Sequence, residues 1–179
     1  MKKFFIITLL FSIHIIAARA QSTTATQNLS LSLTDIVTIG FGSGQTGPTC
    51  NIVFTNLSDY ANGLPSTDQT LKVVSNKQFN VTMNATTTNF TYSGTASPAP
   101  VMPITNILYV EVTANSTGGT VPGIFTNHYG SVTTTPQTII SNCSNGYNQS
   151  FSIEYFASPG FVYAAGTYTI NVVYTATQL

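Results

Sequence analysis

Residues 166–179 read GTYTINVVYTATQL, and in this stretch Tyr168, Ile170, Val172, Tyr174 and Ala176 alternate with Thr169, Asn171, Val173, Thr175 and Thr177. An extended chain turns successive side chains to opposite faces, so this period of two predicts one long strand that begins after Gly166 and buries its odd-free, apolar side. The same period recurs upstream. Phe151, Ile153 and Tyr155 alternate with Ser150, Ser152 and Glu154; Phe79, Val81 and Met83 alternate with Asn80, Thr82 and Asn84; Leu71 and Val73 share one face of TLKVVS. Asn76-Lys77 between the last two runs predicts a hairpin.

Further strands are predicted over Ile36–Phe41, in NIVFT after Cys50, over Thr88–Ser93, in ITNILYVEV, and over Gln137–Ser141. ITNILYVEV carries Leu108, Val110 and Val112 on one side and Ile107 and Tyr109 on the other, which predicts a central strand. Breaker clusters separate these runs, among them FGSGQTGP, SPAPVMP and CSNGYNQ. No segment holds helical spacing over three turns. The fold expected is all-β, an immunoglobulin-like antiparallel β-sandwich in a single domain, with a closed barrel as the alternative.

The amino terminus reads differently. Lys2 and Lys3 precede an apolar run from Phe4 to Ala18 that closes on Ala18-Arg19-Ala20, the pattern of a cleaved export signal. The run is interrupted by Ser12 and His14 and is shorter than the roughly 20 residues a spanning helix needs. Residues 1–20 are therefore expected to be a signal peptide, and 21–179 a mature domain without membrane insertion, placed in the periplasm, at the cell surface or outside the cell.

Cleavage would change the charge. Lys72 and Lys77 would face Asp35, Asp59, Asp68, Glu111 and Glu154, two cations against five carboxylates and a formal charge of −3, with no arginine left. Nucleic acids and anionic lipid surfaces are bound through basic stripes, so neither is an expected partner. Thr, Ser and Asn make up roughly two fifths of residues 21–179 where charged residues usually hold a quarter. The regular apolar positions nonetheless supply surface to bury, which disordered chains lack.

Chemistry has little to work with. Cys50 and Cys143 are the only cysteines, and an even pair in an exported chain is most simply a disulfide, with two buried thiols as the alternative. With His128 they match no zinc spacing. His128 lies in a polar stretch without a G-x-S-x-G elbow, and Asp59, Asp68, Glu111 and Glu154 are scattered positions for a hydrolytic carboxylate pair. Asp59 and Asp68 flank a turn without a D-x-D-x-D-G calcium loop. No catalytic residue, metal or cofactor is assigned. Tyr129, Tyr147 and Phe161 are candidates for a sugar-stacking platform, and most other aromatics belong to the core.

The final strand following Gly166, with Tyr168, Ile170, Val172 and Tyr174, is similar to the last strand of chaperone-usher pilins and of spore-coat-U-like secreted proteins. The run from Ala157-Ser158-Pro159-Gly160-Phe161 through Thr167-Tyr168-Thr169 to Tyr174-Thr175-Ala176-Thr177 also resembles small secreted proteins of Gram-negative bacteria. Gln178 stands where those pilins carry a tyrosine, and the 50–143 loop is longer than theirs. The resemblance implies a sheet edge completed by a partner's strand. It makes Asn28–Thr34 the candidate donor, with Leu29, Leu31 and Leu33 as the side chains that fill a neighbour's pockets. The other reading of that segment is the first strand of its own sandwich. The function expected is a structural or adhesive surface protein, fimbrial-like, whose partners are copies of itself or other surface proteins. A secreted carbohydrate-binding module or glycoside-acting enzyme, with a glycan as partner, is the alternative.

Overall fold

The computed structural model describes residues 23–42 and 49–179, so the expected signal peptide lies outside the described residues. The described residues fall into two units that divide between Leu33 and Thr34. In the first, residues 23–33 carry no secondary structure, and Leu29, Leu31 and Leu33 are 81%, 81% and 90% exposed. The expectation that 28–34 is a first strand is thus corrected. Its alternating leucines are matched by no ladder among the described residues.

In the second unit, Thr34–Leu179, nearly all of the regular secondary structure is strand. In chain order it contains β1 (Val37–Phe41), α1 (Leu57–Asn62), β2 (Leu64–Pro65), β3 (Gln69–Ser75), β4 (Phe79–Ala85), β5 (Thr91–Ser93) and β6 (Leu108–Asn115). There follow β7 (Gly130–Ser131), β8 (Gln137–Cys143), β9 (Gly146–Ala157), β10 (Thr167–Thr169) and β11 (Val172–Gln178). All pairings are antiparallel. The largest sheet runs β1-β3-β9-β6-β7, with β2 also on β9; a second runs β11-β4-β8; β10 and β5 form a two-stranded ribbon. The sheets are not closed into a barrel.

Alternation located the buried faces correctly. Leu71, Val73, Phe151, Ile153, Leu108, Val110 and Val112 of the largest sheet pack in one core cluster with Phe79, Val81, Met83, Ile139, Ile140 and Cys143 of the second. In β8, Ile139 and Ile140 are consecutive and both fully buried. The register against β4 shifts around Val81, which breaks the alternation and turns both side chains inward.

Three expectations about connectivity are corrected. The β3–β4 pair is not a hairpin, because β3 bonds β1 and β9 whereas β4 bonds β11 and β8, so residues 76–78 carry the chain from one sheet to the other. Leu71 and Val73 therefore meet Phe79, Val81 and Met83 across the core and not side by side. NIVFT is extended but joins no sheet. The final run is two strands: β10 pairs β5, the chain passes through Ile170-Asn171, and β11 then pairs β4 from Val172↔Ala85 to Gln178↔Phe79.

Gly166 opens β10 at a close approach that no side chain fits. A Cβ there would overlap the Tyr92 ring and stand 3.0 Å from the Ser93 carbonyl oxygen, both on the partner strand. Gly166→Ala is expected to cost about 1–3 kcal/mol in urea unfolding. A loss too small to measure would show that β10 and β5 separate freely.

The disulfide is not formed, and Cys50 and Cys143 are both free thiols. Cys143 faces Phe79 at one end of β4. Cys143 is buried on β8 within the core cluster, whereas Cys50 is half-buried in a segment that joins no sheet, so no ladder holds the two sulfurs together. Burial pushes the Cys143 thiol pKa up, which keeps it protonated and unreactive.

Candidate functional site: an open seam between two sheet edges

Both β11 and β1 end their sheets, and no ladder joins them. At one end the two edges are fastened through Gln178, whose Nε2 donates to the Ile36 carbonyl at 2.8 Å, to Asn76 Oδ1 at 3.0 Å and to Ser75 Oγ at 3.1 Å. Gln178 is thus a clasp. Towards Val172 the edges leave a cleft of about 910 Å³ lined by Phe41, Ile52, Phe54, Gln69, Tyr155 and Val172 among others. None of its lining residues is charged.

Segment 50–55 borders this cleft. Cys50, Ile52 and Phe54 are half-buried while Asn51, Val53 and Thr55 are exposed, the alternation of a strand, yet the main chain of 51–54 bonds no other described residue. Across the cleft, Ile170, Val172, Tyr174 and Ala176 pack against the core but stay only partly buried. Unpaired backbone beside half-covered apolar side chains is the geometry that another strand completes.

Gln69 and Tyr155 bring polar groups to the lining of the cleft. The Tyr155 and Tyr174 hydroxyls, one from each sheet, bond each other at 2.7 Å. Burial pushes the Tyr155 pKa up to about 12, and burial with the adjoining Tyr155 hydroxyl pushes Tyr174 well above the phenol range. Gln69, 3% exposed, spends its Nε2 on the Thr67 carbonyl and hydroxyl at 3.2 and 3.3 Å, while its Oε1 is buried without a partner.

The sugar-platform candidates are not brought together. Tyr129 donates to Glu154 and packs on Phe156; Tyr147 lies under Lys72 Nζ at 4.4 Å; Phe161, 60% exposed, stacks on Tyr60 at 5.6 Å. Phe161, Tyr60, Tyr163 and Leu57 line a second, shallow cavity of about 380 Å³. Of the carboxylates, Glu111 and Glu154 stand directly opposite each other on β6 and β9, and Asp68 accepts from the Thr113 hydroxyl at 3.1 Å. Burial and the Glu154 carboxylate raise the Tyr129 pKa.

Asp59 belongs to a short helix that breaker chemistry concealed. Asn56 caps α1 by accepting from the Asp59 amide, and Asp59 Oδ2 accepts from the Thr55 and Asn56 amides at 2.8 and 3.0 Å. The Thr55 bond leads the lowering of its pKa, so the carboxylate is committed to a capping box. His128 is exposed. Among the described residues, no three His, Cys, Asp or Glu side chains come together to hold a metal ion, and no helix is long and apolar enough to cross a membrane. No protein-family model and no curated protein matches the chain.

Proposed function

We propose that this protein is an exported structural or adhesive surface module, an immunoglobulin-like sandwich left open along one seam, that joins copies of itself by strand addition. The observation that carries this reading is the seam: two unladdered edges, an uncharged cleft, and the unpaired backbone of 51–54 beside it. Leu29, Leu31 and Leu33 supply the complement, three in-phase apolar side chains exposed to water just ahead of the compact unit. Burying each would contribute about 1.5–3 kcal/mol before the cost of ordering the segment. The export signal read from residues 1–20 supports the same surroundings.

Electron microscopy and sedimentation of the purified mature protein test the proposal. Filaments or a ladder of oligomers are expected, and deletion of residues 21–33 is expected to leave folded, soluble monomer. A wild-type protein that stays monomeric at every concentration would sink it. The second reading, a carbohydrate-binding module, rests on the exposed Phe161 ring stacked on Tyr60. It requires glycan affinity that Phe161→Ala abolishes.

A further inference from the structure

The strand-addition reading leaves open what fixes the register of the added segment, and Gln69 carries an answer. Three leucines spaced by two can slide by two residues and still present leucine to most of an apolar cleft. A slide by one turns them all to solvent and is excluded by that alone. Register along the slide by two needs a polar marker. Gln69 Oε1 is a buried acceptor without a donor, on a residue that lines the cleft and has already used its own amide hydrogens. A buried acceptor left unmet is destabilising, so the occupant that completes the cleft should bring a donor to it.

We propose that the occupant's donor is the side-chain amide of Gln27 from a second copy, and that this Gln27–Gln69 hydrogen bond sets the register of the added strand. The proposal rests on the strand-addition reading. On the face shared by Leu29, Leu31 and Leu33, the residues from 23 onward are Thr23, Ala25 and Gln27, so Gln27 is the amide in phase with the leucines. The neighbouring Asn28 points the other way along an extended chain. Charge agrees as well: residues 21–34 contain no charged side chain, and neither does the lining of the cleft. A slide by two would set Leu29 or Ala25 against the acceptor and leave both amides unpaired.

The test uses fluorophore-labelled peptides of residues 23–34 and the full mature protein, with binding read by fluorescence anisotropy. The wild-type peptide is expected to bind wild-type protein roughly 10- to 100-fold more tightly than a Gln27→Leu peptide. Against Gln69→Leu protein that ratio should fall to about threefold or less. A peptide with Gln27→Leu and Asn28→Gln together has the amide displaced to the opposite face, where no slide by two brings it to Gln69. It should bind wild-type protein as weakly as the single variant, and this comparison holds even where Gln69→Leu protein fails to fold. An unchanged ratio against Gln69→Leu protein, or full affinity of the displaced peptide, overturns the register pairing while leaving strand addition standing. Binding by none of the peptides overturns both and leaves the cleft to another class of ligand.

Discussion

Replacing Phe151 by alanine is expected to lower the unfolding free energy of the protein by about 3–5 kcal/mol, the cost of a large cavity in a packed interior. Phe151 is 1% exposed on β9, between Leu71 of β3 and Asn115 of β6, with its ring 6.4 Å from that of Tyr174 across the core. Those neighbours belong to three strands in two sheets, so none can collapse into the space alone. Domains of this size hold only about 5–15 kcal/mol in all, and the shift in melting temperature should be roughly 6–20 °C. Leu29→Ser is the control. It alters a residue of the same apolar class that is 81% exposed, and should move monomer stability by less than about 0.5 kcal/mol. Equal effects of the two changes in chemical denaturation would show that β9 is not the central strand.

The second large effect is alkaline. Tyr155 and Tyr174 share a buried hydrogen bond, and burial holds both phenols neutral, pushing Tyr155 up to about 12 and Tyr174 well above the ordinary phenol value. In the unfolded chain both ionise near pH 10. Their folded values lie above their unfolded ones, so the stabilisation is complete below pH 10 and is lost as pH rises through the unfolded value towards the folded one. For Tyr155 alone, two units correspond to about 3 kcal/mol lost by pH 12. Urea midpoints between pH 8 and pH 12 should therefore fall steeply in the wild type. In a Tyr155→Phe/Tyr174→Phe variant they should fall much less, with the remainder owed to Tyr129, whose pKa is also raised. Removing both hydroxyls strands neither partner, so the double variant should keep nearly wild-type stability at pH 8, whereas either single change should cost about 1–3 kcal/mol. The same pH profile in both proteins would mean that the pair does not stay closed.

What the sequence made legible and what it concealed follow from one physical limit. Alternation reports that a strand has a wet face and a dry face, so Leu71, Val73, Phe79, Val81, Met83, Phe151 and Ile153 could be assigned to the core before any coordinate was known. It does not report which strand lies alongside. Hence the supposed β3–β4 hairpin proved to be a passage between sheets, since both arrangements bury the same side chains. The alternation at 28–34 and at 51–55 corresponds to no pairing among the described residues. Parity and compartment suggested that the two sulfurs meet, but neither says where along a strand each one sits. The polar lining of the cleft was not legible, because Gln69 and Tyr155 come from two strands, and the hydroxyl partner Tyr174 from a third, whose approach depends on the sheet order.

The Gln178 clasp fixes where the compact unit begins and ends. Ile36 and Gln178 are bonded, and the Leu179 amide donates to the Gln78 carbonyl at 2.9 Å, so Thr34 and the carboxyl terminus emerge at the same pole of the unit. A purification tag or fusion partner appended after Leu179 would crowd the place where the preceding chain departs. Handles for imaging or capture are better inserted in the exposed 94–99 loop, far along the chain from either terminus.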